Sequence, residues 1–111
     1  MEDKIKSGYL YDFYGELLTE RQRSVYEMSI NDDLSLSEIA DTLSISRQAV
    51  HDMLKRCDRQ LEEYEEKLHL VEKFMTVKGT VLRINELTSA EPGQETLKEI
   101  SQLSALILEE L

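Results

Sequence analysis

The chain has 111 residues, 41% hydrophobic and 32% charged, with a formal net charge of -10. That length fits one domain, or a small domain with a helical extension, and the composition is that of a folded, soluble protein rather than a disordered one. A single cysteine, Cys57, excludes an internal disulfide and any multi-cysteine metal site, and no apolar run approaches the ~20 residues of a membrane span.

The two histidines, His51 and His69, have no metal-ligand spacing, and no signal peptide is expected. The chain is expected in the cytoplasm, with no cofactor and no metal. Four Gly, one Pro and abundant Leu, Glu, Lys, Gln and Ala favour helices. No strict apolar/polar alternation bounded by turns occurs, so the fold class is all-α.

The first helical pattern is "YLYDFYGELL", Tyr9 to Leu18, apolar at 9, 10, 13, 14, 17 and 18. Its four aromatics suit a core helix, with a partner surface as the alternative. "TERQ" opens a second helix: Thr19 can cap it and Gln22 can reach back, and Val25, Tyr26 and Ile30 can face inward. "NDD" at 31–33 makes a polar turn.

A second capping box, Ser35 with Glu38, opens a short third helix that should end near Leu43, with Leu34 and Ile39 at staple spacing. The turn Ser44-Ile45-Ser46 follows. Ser46 is a good N-cap for a fourth helix from Arg47, with Ile45 and Val50 again at staple spacing. Beyond it, positions 50, 54, 57, 61, 64, 68, 71 and 75 form a heptad-like seam with no strong breaker before Gly79. Whether the helix bends near His69 stays open. "EEYEEK" reads as the solvated face of this helix. Val77 to Leu87 keeps a helical period, "TSAEPGQET" is the clearest loop, and a last helix spans Glu95 to Leu111.

A short helix, a three-residue turn and a second helix are the parts of a helix-turn-helix, whose second helix can enter the major groove. Ile39, Ala40, Leu43, Ile45, Val50 and Leu54 are the inward positions. Arg47, Gln48, His51, Asp52, Lys55 and Arg59 are left facing outward. Arg can bridge guanine O6 and N7, and Gln can bridge adenine N6 and N7. Ser46 at the helix start can reach a phosphate, Lys55 and Arg59 can contact phosphate further along, and Arg21 and Arg23 can hold the flanking backbone. Asp52 also points toward the presumed groove, where it repels phosphate unless it accepts from a cytosine amino group. His51 has no nucleophile or oriented carboxylate beside it, and no catalytic constellation is present, so the chain is not read as an enzyme. Cys57, on the apolar seam, reads as a buried, inert thiol.

The span "LLTERQRSVYEMSINDDLSLSEIADTLSISRQAVHDMLKRCDRQLEEYEEKL" resembles region four of bacterial sigma factors, which binds the promoter -35 element. The whole chain is similar to the small YlxM-type proteins of Gram-positive bacteria, a family regarded as DNA-binding or regulatory. The resemblance implies double-stranded DNA as partner, transcription regulation, and an association with the signal recognition particle pathway drawn from gene neighbourhood. It places Ser46, Arg47, Gln48, His51 and Lys55 among the DNA-facing side chains. Ser44 departs from the pattern, since many such turns have Gly there.

Acidity bears on partners. Residues 1–60 hold twelve acids and eight bases, and residues 61–111 hold eleven acids and five bases. The chain as a whole repels nucleic acid, so DNA contact requires a local basic surface, which residues 47–59 supply. The expected organisation is a helix-turn-helix domain with an N-terminal aromatic helix over 1–60, and an acidic helical extension over 61–111 for homodimerisation or partner binding. The competing reading is a protein-interaction module whose acidic half docks on a basic partner, such as a signal recognition particle component, without sequence-specific DNA binding.

Overall fold

Three helices of this protein begin at side chains that accept backbone N–H groups, those of Thr19, Ser35 and Ser46. A computed structural model describes residues 3–89, 91 and 93–111, and every regular element among them is helical. The order is α1 (Asp3–Tyr14), a single 3-10 turn (Gly15–Leu17), α2 (Glu20–Ile30), α3 (Leu36–Leu43), α4 (Arg47–Leu68), α5 (Leu70–Thr88) and α6 (Gln94–Glu110). The chain is all-α, as the composition predicts. It divides into two compact units, Met1–His69 and Leu70–Leu111.

In the first unit both predicted capping boxes form. Thr19 accepts from the Gln22 N–H while the Gln22 side chain accepts from the Thr19 N–H, and Ser35 and Glu38 do the same at the start of α3. The bonds from Ser35 hold the Glu38 carboxyl below its ordinary range. Each box satisfies two N–H groups that a helix start leaves without partners. Ser46 caps α4 by accepting from the Ala49 N–H at 3.0 Å.

Helix α1 starts six residues before the predicted aromatic stretch, at Asp3, and gives way after Tyr14 to the 3-10 turn. The six apolar positions do not form one buried face. Leu10, Tyr14 and Leu18 are buried, four residues apart, while Phe13 and Leu17 are 38% and 55% exposed. A helix packed on one side buries one stripe, and tightening to a 3-10 turn rotates Leu17 out of it. Gly15 is buried where a Cβ would stand 2.8 Å from the Tyr11 ring, so a larger residue would force that ring away. Tyr11 itself stacks on Tyr26 of α2, centroids 5.6 Å apart.

The core of the unit has Val25, Ile39, Ala40 and Val50 at its centre, with Leu34, Leu43, Ile45 and Leu54 packed against it. These are the staple and inward positions read from the sequence. Each buried Ile or Val contributes roughly 1.5–3 kcal/mol. Cys57 and Leu61 continue the buried line along α4, and Tyr64 is half-buried. Of the next two seam positions, Val71 in α5 is buried and Leu68 is exposed. There α4 ends: His69 takes a left-handed conformation, φ 56 and ψ 28, and its N–H donates to the Glu65 carbonyl at 2.8 Å. "EEYEEK" is not wholly solvated, because Glu65 is half-buried and accepts from the Tyr14 hydroxyl at 2.5 Å.

In the second unit α5 and α6 pair as a hairpin. Arg83 of α5 bridges to Glu99 of α6 at 3.2 Å and to Glu86 at 3.0 Å. Ile84 and Leu87 on α5 and Ile100, Leu103 and Ile107 on α6 are half-buried, and no described residue of α6 is buried. Of the predicted loop, Ala90 and Pro92 lie outside the described residues, while Glu91 and Gly93 have no regular structure.

Candidate nucleic-acid interface

Helices α3 and α4 are joined by Ser44, Ile45 and Ser46 alone. The reversal is made at Ser44, which adopts φ 57 and ψ 43 and donates its N–H to the carbonyls of Ala40 and Asp41. Few residues other than Gly favour that conformation. The Ile45 N–H donates to the Ala40 carbonyl at 3.1 Å, which folds the turn back under α3 and drives Ile45 into the core. Ala40 is 6% exposed at this turn, and its small side chain lets the helices approach. The next residue, Ser46, is exposed and starts α4 with its free N–H groups facing solvent.

The outward residues of α4 follow from its core residues. Val50, Leu54 and Cys57 turn inward. At 3.6 residues per turn, Arg47, His51, Lys55, Gln48 and Arg59 then fall on an arc of roughly 120° facing away from them. Arg47, Gln48, Lys55 and Arg59 are exposed, and His51 is half-buried. Arg56, also exposed, extends the basic surface. Asp58 does not cancel it freely, since its carboxylate accepts from the Tyr26 hydroxyl at 2.6 Å.

Asp52 falls just beyond the Arg59 edge of this arc, about 40° round the helix from Gln48, and is exposed. Its Oδ1 accepts from Gln48 Nε2 at 2.9 Å. His51 Nδ1 stands 3.7 Å from the same oxygen, too far for a hydrogen bond, and attracts it only when the imidazole is protonated. That nitrogen is shielded from solvent without a hydrogen-bond partner among the described residues.

The arginines of α2 separate. Gln22, between them, donates to Gln60 Oε1 at 2.6 Å. This bond sets the first turn of α2 beside the α4 turn that carries Arg59. Arg21 is exposed there. Arg23 instead lines a cavity of about 280 Å³ with Tyr11, Asp12, Gly15, Glu16 and Glu27, on the side of α1, and its Nε has no hydrogen-bond partner among the described residues. Burial and the bond to Glu27 push the Tyr11 phenol up to about 12, and the nearby Arg23 charge opposes this.

Residues 1–102 match the model of the family described as "UPF0122: Putative helix-turn-helix protein, YlxM / p13 like". A UPF0122 protein of Clostridium botulinum is 49% identical over 86 residues, 78% of this chain and 79% of the relative. UPF0122 proteins of Bacillus cereus and Bacillus anthracis are each 45% identical over 101 residues, 90% of this chain and 92% of the relative. The chain belongs to the UPF0122 family.

In this UPF0122 chain the groups that hold α4 in place escape a local reading of the sequence. Gln22 caps α2 with one end of its amide and grips Gln60 with the other. Tyr26 and Tyr14 each donate to a carboxylate on α4, from two different helices. Lys6 pairs with Glu62 at 3.6 Å, and Lys4 pairs with Asp33. The only signal for them in the sequence is the set of tyrosines and acids at helical spacing. Cys57 is fully buried, and its thiol is pushed up to about 11 by burial and by Asp58, with Arg56 opposing. A thiol so protonated is a poor nucleophile.

No described helix is long and apolar enough to cross a membrane.

Proposed function

We propose that this protein is a DNA-binding regulator that lays the N-terminal half of α4 in the major groove of double-stranded DNA. The observation that carries the reading is the outward arc of Arg47, Gln48, His51, Lys55 and Arg59, held by a buried core on the opposite side of the same helix. Ser46 and the free N–H groups beside it take a phosphate, Arg47 and Gln48 read base edges, and His51 lies alongside them. Lys55, Arg59 and Arg21 take flanking phosphates, with Arg23 the most withdrawn of the basic residues. The work is transcriptional and cytoplasmic, and a net charge of -10 keeps non-specific attraction low.

Four or five phosphate contacts bind weakly at physiological salt, so the second part of the proposal is a homodimer. The exposed leucines of α6 support it, because a two-helix hairpin has no second layer to cover them. Two copies would read two half-sites. The runner-up for the same helices is a basic partner, with signal recognition particle components the ones implied by family resemblance. Its support is the excess of acids over bases in residues 61–111.

Selection of bound fragments from a genomic pool, at low and then physiological salt, tests the first part. A log-log salt slope of about -4 for one copy, or about -8 for two, is expected. Arg47→Ala with Gln48→Ala should abolish specific binding while helicity and mass persist. A wild-type chain that retains no DNA even at low salt would sink the reading. A light-scattering mass of one chain at micromolar concentration removes the dimer.

A further inference from the structure

Asp52 borders the proposed reading face beside Gln48, where a carboxylate is an unfavourable neighbour for phosphate. Its contact with Gln48 gives it a use. An ionised carboxylate only accepts hydrogen bonds, so the group facing Asp52 must be the Gln48 amide nitrogen and not Oε1. The two residues are one helical turn apart, a spacing at which side chains on a helix meet. Their bond removes one of the two ways the amide can sit. Oε1 and the second N–H of Gln48 then keep a fixed order along the outward edge.

That order has a base complement. Adenine offers a donor at N6 beside an acceptor at N7, matching Oε1 and N–H in turn. Guanine offers two acceptors, O6 and N7. One of them would face Gln48 Oε1, and both would face the negative Asp52. Backbone phosphate meets the same repulsion.

We propose that Asp52 is a specificity-determining residue: it fixes the Gln48 amide toward adenine and rejects guanine and non-specific phosphate. The inference rests on the DNA-binding reading of α4, and it assigns Asp52 a positioning role through Gln48 rather than a base contact of its own.

The test is selection from a random duplex pool with the full-length protein, wild type, Gln48→Ala, Asp52→Asn and the double variant. Asp52→Asn keeps the shape but offers both a donor and an acceptor, so the Gln48 amide can sit either way. Wild type should prefer adenine at one base-pair position. Gln48→Ala should lose that preference, and Asp52→Asn should lose roughly fivefold or more at the same position. The double variant should lose no more than Gln48→Ala, because the two act as a unit. Binding to sheared, unselected DNA should tighten in Asp52→Asn. The Gln48 side-chain amide resonances of the free protein should shift in that variant without change elsewhere in the core. An unchanged adenine preference in Asp52→Asn, additive losses at separate positions, or a wild type that binds DNA with no adenine preference overturns the inference and leaves DNA binding standing. A wild type that retains no DNA removes both.

Discussion

The hydroxyl of Tyr26 in α2 donates to the Asp58 carboxylate in α4 at 2.6 Å, across 32 positions of sequence. Tyr26 is 2% exposed, and burial followed by the bond to Asp58 pushes its phenol well above the ordinary tyrosine value. The bond fixes the middle of α4 against α2 and keeps Asp58 occupied between Lys55, Arg56 and Arg59. Tyr26→Phe keeps the ring and its stacking on Tyr11 but leaves the carboxylate without this donor. The variant should lose about 1–2 kcal/mol in a urea titration followed by circular dichroism. Asp52→Asn, by comparison, should move that midpoint little, since Gln48 and Asp52 are both exposed.

Ser44 sits at φ 57 and ψ 43, a conformation that costs a residue with a Cβ roughly 1–2 kcal/mol. Ser44→Gly removes that strain but gives the unfolded chain more freedom. The net expectation is a gain of about 0.5–1 kcal/mol, seen as a higher Tm, with the reading face unaltered. A lower Tm would mean that the Ser44 side chain stabilises the turn in some way its backbone conformation does not reveal.

What could be read from the sequence was whatever depends on neighbours. Thr19 with Gln22, Ser35 with Glu38, and Ser46 before Arg47 are interactions over three residues, so residue type and spacing suffice to place the helix starts. Ile39, Ala40, Val50 and Leu54 follow from period and from the fixed length of the turn. The pairings of Tyr14 with Glu65, Gln22 with Gln60 and Tyr26 with Asp58 span 51, 38 and 32 positions and exist only once the helices have packed. A bend near His69 could be raised from the sequence but not decided, because neither Gly nor Pro marks it and the apolar spacing continues through it. Arg23 illustrates the same limit: nothing near it in the sequence shows that it lines a cavity together with Tyr11 and Gly15 of the preceding segment.

Cys57 makes the stability of the fold decrease as pH rises above 9. Burial raises the thiol from 9.0 to about 11 in the folded chain, so the folded state favours the protonated form. That stabilisation is complete below pH 9 and is lost as pH rises from 9 through 11. The urea midpoint should therefore fall between pH 8.5 and pH 11, and Cys57→Ala should flatten part of the fall. The remainder belongs to Tyr26 and Tyr11, whose phenols are also raised in the folded chain and ionise only at the cost of folding. At pH 8 iodoacetamide should modify native Cys57 far more slowly than the urea-unfolded chain. Equal rates would show that the α4 seam opens readily.

Leu97 and Leu106 on α6 are 58% and 50% exposed, so neither contributes much to the hairpin that contains it. If they lie in a dimer interface, burying each contributes roughly 1.5–3 kcal/mol to association, and a lysine in its place removes that and adds a charge that must be desolvated. Leu97→Lys with Leu106→Lys should then halve the light-scattering mass at micromolar concentration and leave the circular dichroism spectrum nearly unchanged. The salt slope of DNA binding should drop to about half as the phosphate contacts of one copy are lost. A dimer that survives both lysines would place its interface off this face of α6, and a wild type that is already monomeric would turn the same two residues into the first candidates for contact with a basic partner.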